Sequence, residues 1–262
     1  MKYDFFASTD CGRVRSNNED AVSIDAQAQI AVLADGMGGY SAGEVASSMA
    51  TTLILAEMRA WLEQSDEPPT ANDIRRALEI CVDNANQAIY SEAFANPDCT
   101  GMGTTLVVGV LCGDKLVLGH VGDSRCYRWR AGELTQITRD HSWLQEQLDA
   151  GLLTPQQAAV SPNRNLVTRA LGVEPTTLVE INEFKMEPHD VLLMCSDGLS
   201  EMLPLDDMAA LMSTDETLEE KTARLVAAAN ANGGRDNISV LLIEAGQAQR
   251  KPNFMSRWLR AA

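Results

Sequence analysis

The sequence predicts an α+β fold in which two antiparallel sheets pack together and carry helices on their outer faces. The predicted elements follow the order strands, two helices, many strands, two helices and one strand. A parallel sheet needs strands and helices that alternate, and this order does not alternate in that way. Residues 106–111 form an apolar run next to a hairpin turn signal, which indicates a central strand covered on both faces.

Length and composition favour a globular protein with a sizeable core. The chain has 262 residues, enough for one large domain or two small ones, and 45% of them are hydrophobic. The 21 Lys and Arg residues against 37 Asp and Glu residues give a net charge of −16. Such an acidic chain disfavours nucleic acid or an anionic membrane as its main partner.

Targeting and redox signals are absent from the sequence. The N-terminal segment lacks the apolar core of a signal peptide, and no apolar run approaches the ~20 residues of a membrane span. The six cysteines are scattered without a Cys-x-x-Cys pair, which disfavours a zinc site or a redox motif. We therefore expect a reduced, cytoplasmic protein.

The N-terminal part is predicted to form three strands, at 3–9, 21–25 and 30–35, followed by a helix over 42–62. The apolar spacing in that helix predicts one buried face. This face comprises Val45, Met49, Leu53 and Ala56.

A second helix follows the chain break at Pro68-Pro69. Thr70 and Asp73 have the spacing of a capping box, and the helix should end before Asn96-Pro97. Its apolar stripe comprises Ile74, Leu78, Cys81, Ala85 and Ile89.

The rest of the chain is rich in strands, with a weaker pattern over 140–175. We interpret that region as a surface excursion containing a short helix at 141–151. Later helices are predicted at 204–212 and 217–231. The remaining strands are predicted at 104–112, 115–121, 124–129, 133–137, 177–184, 190–195 and 237–243.

Four segments place an aspartate beside or near glycine at the edge of a predicted buried strand. They carry Asp35, Asp123, Asp197 and Asp236, and Asp35 follows the apolar run of the strand at 30–35. Carboxylates gathered at one end of a sandwich repel each other, and a divalent cation relieves that repulsion. All-oxygen ligands select Mg²⁺ or Mn²⁺ rather than zinc. Two such cations form a hydrolytic clamp on a phosphoryl group.

Arg15 lies three residues before Asn18-Glu19-Asp20, and Arg13 precedes it. An arginine beside acidic residues is either a structural ion pair or a receptor for an anion, and its planar fork suits phosphate. We favour Arg15 over Arg13 as the phosphate ligand. Glu19 and Asp20 are candidates for orienting metal-bound water.

Six motifs occur in an order that resembles a known family. They are Gly12-x-x-Arg15-x-x-Asn18-Glu19-Asp20, Asp35-Gly36-Met37-Gly38-Gly39, Gly101-Met102-Gly103-Thr104-Thr105, Val121-Gly122-Asp123-Ser124-Arg125, Ser196-Asp197-Gly198-Leu199 and Gly234-Arg235-Asp236-Asn237. This series resembles the metal-dependent protein serine/threonine phosphatases of the PPM type (type 2C), in their compact bacterial form. The resemblance implies a four-layer α-β-β-α sandwich with a two-metal cleft at one end. It also implies one catalytic domain over 1–246, with a flap at about 140–175, followed by a basic tail at 247–262.

The resemblance implies a set of metal ligands. Asp35 would bridge two ions, and Gly36 would bind through its carbonyl oxygen. Asp197 and Asp236 would complete the coordination of the first ion. Asp123, together with Asp197, would belong to a third, weaker site.

The same resemblance implies roles for the residues beside the metals. Arg15 would bind the phosphate, Glu19 and Asp20 would hold water, and Asn237 would be a neighbour of the metal ligands. The implied activity is hydrolysis of phosphoserine and phosphothreonine in proteins by a water or hydroxide that bridges two ions. The protein would act as a monomer on phosphorylated proteins and oppose a serine/threonine kinase in bacterial signalling.

Met37 is a departure from many eukaryotic members, in which a histidine at this position is assigned as the general acid. Methionine donates no proton, so the proton donor is unassigned. A metal-bound water is one candidate and His141 is another, with a structural role as the alternative for His141. We expect His120 to be a core residue and His189 to lie in a turn.

Two other functions compete with the phosphatase. A catalytically silent module on the same fold would bind phosphoproteins without cleaving them, but it has no need of every acidic ligand. A metal-dependent phosphodiesterase or nuclease is disfavoured by the charge of −16 and by the lack of a basic groove signal. The basic tail either docks on an acidic surface or a partner, or is a frayed terminus.

Overall fold

A computed structural model describes residues 1–39, 42–65, 67–158, 161 and 166–246. Within these ranges the chain forms the eleven strands of two sheets. The strands are β1 Tyr3–Asp10, β2 Asp20–Asp25, β3 Ile30–Met37, β4 Gly103–Thr104, β5 Leu106–Cys112, β6 Lys115–Val121, β7 Arg125–Arg130, β8 Glu133–Gln136, β9 Glu180–Lys185, β10 Val191–Cys195 and β11 Ile238–Ala245.

Two long helices and several shorter ones accompany the strands. The helices are α1 Ala42–Glu63, α2 Ala71–Ala95, α3 Trp143–Asp149, α4 Pro155–Ala158, α5 Asp197–Ser200, α6 Leu205–Met212 and α7 Leu218–Ala231. The predicted capping box of Thr70 and Asp73 is confirmed at the start of α2. A second capping box, of Thr217 and Glu220, starts α7, so local side-chain chemistry fixes both helix starts.

The strands pair in the orders β1-β11-β10-β7-β8 and β2-β3-β5-β6-β9, and β4 adds to β3. Every ladder is antiparallel. The apolar strand β5 lies inside its sheet between β3 and β6, where both of its faces are covered. The predicted class and the central place of this strand are confirmed.

Three apolar clusters separate four layers. α1 and α2 pack on the sheet of β3 through a cluster that includes Ile54, whereas α6 and α7 pack on the sheet of β11 through one that includes Leu225. Leu33 and Leu241 belong to the cluster between the sheets. The result is an α-β-β-α sandwich, as the family resemblance implied.

The face predicted for α1 is only partly the buried one. Val45 is 36% exposed and Ala56 is also exposed, whereas Met49 and Leu53 are partly buried and pack against the cluster that includes Ile54. The most buried apolar positions lie on an adjacent strip of the helix. They are Ala46, Ala50, Ile54 and Met58. This strip is buried because the start of α1 packs closely on β3. A Cβ on Gly43 would lie 2.8 Å from the backbone oxygen of Gly36. Small side chains therefore fit at the start of α1, and the larger Ile54 and Met58 are buried further along the helix.

The region 140–175 contains α3 and α4, and its later part docks on the body of the domain. The short helix predicted at 141–151 is present as Trp143–Asp149. Leu171 is fully buried and exchanges backbone hydrogen bonds with Thr104. The end of the excursion is therefore part of the packed structure.

No helix in the part of the chain that the structure describes is long and apolar enough to cross a membrane. The basic tail at 247–262 lies outside the described residues, and its docking stays a prediction.

Candidate metal centre

A cleft of about 290 Å³ opens at one end of the sandwich. Of the nine residues to which the resemblance gives a role at the site, all line the cleft except Asp20, which is 8% exposed and pairs with Asp35 between β2 and β3. These lining residues are Arg15, Glu19, Asp35, Gly36, Asp123, Asp197, Asp236 and Asn237. Residues more than 200 positions apart in the chain thus face the same space.

Asp35 lies inside β3 rather than at its end, which corrects the strand boundary predicted from the sequence. β3 continues to Met37 because Gly36 and Met37 pair with the short strand β4. The backbone N–H of Asp35 donates to the Thr105 hydroxyl at 3.0 Å, and its carbonyl accepts from the Thr105 N–H at 2.9 Å. These bonds fix the backbone that carries the carboxylate.

The other aspartates come from both sheets. Asp123 lies two residues after β6, in the sheet that contains β3. In the other sheet, Asp197 begins α5 two residues after the end of β10, and Asp236 lies two residues before β11. A Cβ on Gly198 would lie 1.9 Å from the oxygen of Asn237. Glycine therefore lets the two segments of the second sheet touch through their backbones.

Asn237 holds the loop that carries Arg15 and Glu19. Its side-chain oxygen accepts from the Glu19 N–H at 2.8 Å, and its amide nitrogen donates to the carbonyls of Cys11 at 3.0 Å and Asn17 at 2.9 Å. The sequence placed Asn237 only as a neighbour of the metal ligands. In the structure it is the residue that positions the rim of the cleft.

Arg15 forms an ion pair with one of the predicted metal ligands. Its Nη2 donates to Asp236 Oδ2 at 2.6 Å, and its side chain is half-exposed. This bond uses one of the five N–H donors of the guanidinium group. Arg13 is exposed and does not line the cleft, so Arg15 is the arginine in reach of a ligand there.

Burial and neighbouring charges raise the pKa values of four aspartates at the cleft. Burial raises the pKa of Asp35 well above its ordinary range, and the charges of Asp20 and Asp197 raise it further. Burial, with the charge of Asp123 second, likewise raises the pKa of Asp197. Burial also raises the pKa of Asp20 and of Asp123 to about 6. The cleft therefore concentrates negative charge that a cation would neutralise.

The donor set fits a hard divalent cation. Asp20 Oδ2 accepts from the Ser196 hydroxyl at 2.7 Å, while its buried Oδ1 has no hydrogen-bond partner. Among the residues described, no three acidic, imidazole or thiol side chains already enclose a single point. A bound ion would therefore also take backbone oxygen and water, which suits Mg²⁺ because it sheds water reluctantly.

The histidines do not line the cleft. His141 is buried, its Nδ1 accepts from the Gly122 N–H at 3.2 Å, and its Nε2 lies 3.3 Å from Glu180. Its ring centroid lies 4.8 Å from that of His120, a core residue as predicted. Both ring nitrogens of His141 therefore face partners within the domain, which favours the structural role over that of a proton donor. His189 lies in a turn, as predicted, with φ of 71°.

Two hydroxyl residues stand in the quoted motifs but received no role from the sequence. Thr105 supports Asp35 and its hydroxyl lies 2.7 Å from that of Ser124. Ser196 bonds Asp20 across the gap between the sheets. Both are buried polar residues next to apolar strands, and that position was the available signal.

Comparison with known proteins agrees with this architecture. The model of the protein phosphatase 2C family matches residues 9–242. Serine/threonine phosphatase stp of Listeria innocua is 39% identical over 246 residues, covering 92% of this chain and 96% of that protein. The crystal structure of the Mycobacterium tuberculosis serine/threonine phosphatase PstP/Ppp is 37% identical, with a TM-score of 0.85, over 94% of this chain and all of that one.

A catalytic domain of PstP in complex with two manganese ions is also similar. It is 36% identical with a TM-score of 0.82, over 94% of this chain and 99% of that chain. The family resemblance read from the six motifs is confirmed. On the family match, the relatives and the shared fold together, this chain belongs to the protein phosphatase 2C family.

Proposed function

We propose that this protein hydrolyses phosphoserine and phosphothreonine in other proteins with two divalent cations, Mg²⁺ or Mn²⁺, held in the cleft. The observation that carries the proposal is the convergence of Asp35, Asp197 and Asp236 from two sheets on one cleft, with Arg15 at its rim. The related phosphatases and the manganese-bound PstP domain support the same chemistry.

Asp35, the Gly36 carbonyl, Asp197 and Asp236 would hold the two cations, and Asp123 would contribute to a third, weaker site. When bound, the cations would polarise the phosphoryl oxygens and lower the pKa of a water that attacks phosphorus.

The chain itself would bind and orient the reactants. Arg15 would bind the phosphate oxygens with the N–H donors that its bond to Asp236 leaves over. Glu19, at the cleft wall, and Asp20, with its unpartnered oxygen, would accept hydrogen bonds from water and orient it. Met37 lines the cleft but donates no proton, so the leaving oxygen would take its proton from water.

The proposed catalytic domain comprises residues 1–246, with residues 140–175 as its flap and 247–262 as a basic tail. We expect it to act as a monomer in the cytoplasm, on phosphoproteins made by a serine/threonine kinase. The net charge of −16 does not suit nucleic acid as a partner.

The test is a hydrolysis assay on phosphoserine, phosphothreonine and phosphotyrosine peptides with Mn²⁺, with Mg²⁺ and with a chelator. We expect the chelator to abolish activity, and Asp35→Asn and Asp236→Asn each to lower kcat/KM at least about 100-fold while the fold persists. Asp83→Asn, at an exposed position of α2, is the matched control and should have no effect. Full activity in either cleft variant would refute the metal assignment, and a protein inert on p-nitrophenyl phosphate with Mn²⁺ would favour the silent binding module.

A further inference from the structure

A second cavity, of about 420 Å³, adjoins the metal cleft. Met37 and Val167 line both spaces. The wall of this second cavity, here called the side groove, comes from the segment 167–178. The side groove is therefore within reach of a polypeptide that is held in the cleft by a phosphorylated residue.

The wall of the side groove is anchored to the body of the domain. Leu171 and Thr104 exchange backbone hydrogen bonds at 2.8 and 3.0 Å. The fully buried Asn86 of α2 accepts from the Gly172 N–H at 2.8 Å and donates to the Glu174 carbonyl at 3.1 Å. The groove is thus a built feature of the fold rather than a gap between loose loops.

Apolar side chains are exposed along this wall. Val173 is 54% exposed and Leu178 is 76% exposed, although both are aliphatic. Val173 packs over Gly103, where a Cβ would lie 2.7 Å from its Cγ2 and 3.7 Å from the Met37 Cγ. Exposed apolar residues that cluster beside an active site mark a contact surface.

The charges along the groove nearly cancel. Arg169 and Glu174 line the same space, so the groove has no net preference for an acidic or a basic ligand. The rest of the wall is uncharged and includes Thr168, Thr176 and Thr177. The exposed Val173 and Leu178 supply its apolar contacts, and the occupant that suits these two residues is an uncharged aliphatic side chain.

We propose that the side groove binds an aliphatic side chain of the phosphoprotein substrate, a few residues from the phosphorylated serine or threonine. This inference rests on the proposed phosphatase function. An extended chain advances about 3.3 Å per residue, so a neighbouring side chain reaches a groove that shares two wall residues with the cleft. Burial of that side chain against Val173 and Leu178 stabilises the bound substrate.

The test compares phosphothreonine peptides that carry Leu or Ser at each of the neighbouring positions. We expect Leu at one position to raise kcat/KM about tenfold. The double variant Val173→Ser, Leu178→Ser should reduce that preference to about twofold or less. Hydrolysis of p-nitrophenyl phosphate, which has no neighbouring residue, should stay unchanged. Ile80→Ser, at a 61% exposed position outside the groove, is the matched control and should keep the preference.

Three outcomes overturn the proposal. In the first, the wild-type protein shows no preference for peptides with Leu. In the second, the double variant keeps the full preference for Leu. In the third, the protein prefers peptides with acidic residues, and this preference disappears in Arg169→Gln. Failure of the phosphatase function is distinguishable, because p-nitrophenyl phosphate would then stay intact with Mn²⁺. In that case the affinity of the protein for the same peptides, fluorescently labelled, is measured by fluorescence anisotropy. Equal affinity for the Leu and Ser peptides would refute binding of an aliphatic side chain in the side groove.

Discussion

Replacing Asp123 by Asn is expected to stabilise the metal-free protein at neutral pH. Burial, followed by the charge of Asp140, raises the pKa of Asp123 from 3.8 to about 6. Because the folded state holds this proton more tightly than the unfolded state, its contribution to stability is complete below pH 3.8. That contribution is lost as the pH rises through about 6.

The difference between 3.8 and about 6 corresponds to about 3 kcal/mol at pH 7.5. The side chain is partly exposed, and solvent screening lowers the expected gain in the free energy of unfolding to about 1–2 kcal/mol. The gain should fall to about half near pH 5, where much of the wild-type carboxyl is protonated.

Urea unfolding followed by tryptophan fluorescence in the presence of a chelator measures this gain. Asp83→Asn, an exposed aspartate on α2, should change the free energy of unfolding by less than about 0.5 kcal/mol. If Asp123→Asn is no more stable than wild type at pH 7.5, or if its advantage grows toward acid pH, then burial and the charge of Asp140 do not raise the pKa of Asp123 as inferred.

Three further substitutions test the rim and the floor of the cleft. Arg15→Lys should lower kcat/KM on phosphothreonine peptides about tenfold or more, because an ammonium group lacks the bidentate fork. Steady-state kinetics beside Arg13→Lys, which should be neutral, checks this. Asn237→Ala removes three hydrogen bonds to the loop 11–19 and should cost about 2–4 kcal/mol in urea unfolding, a cost that unchanged stability would disprove. Gly36→Ala would bring a Cβ within 2.1 Å of the backbone oxygen of α1. It should lower the Tm strongly, by about 10 °C or more, and a Tm close to wild type would mean that α1 can move away.

The sequence predicted the elements well because their signals are local. The capping box at Thr70 and the apolar stripe of α2 depend on residues within a few turns of one another. The buried face of α1 could not be read in the same way. Its burial depends on the approach of Gly43 to Gly36, a tertiary contact that favours alanine over valine regardless of helical spacing.

The sequence named the residues that line the cleft, but it could not predict the contacts that hold them in place. Asp35 and Asp197 stand in short motifs that can be recognised in a single sequence. The register that sets Asp20 opposite Asp35, and the hydrogen bonds of Asn237 and Thr105, arise only when distant strands pair. Asn86 is a polar residue beside the apolar stripe of α2, which is unusual for a buried position. Its hydrogen-bond partners lie in the segment 171–175 and could not be identified from sequence spacing.

The carboxylates that face one another in the cleft belong to opposite halves of the sandwich. Asp35 belongs to one sheet, and Asp197 follows a strand of the other. The hydrogen bond from the Ser196 hydroxyl to Asp20 connects the two sheets. Any sliding of the halves past each other would therefore alter the distance between these side chains. Ions bound between these side chains would hold the two sheets together. Movement of one sheet relative to the other would then also disturb the alignment of the catalytic groups.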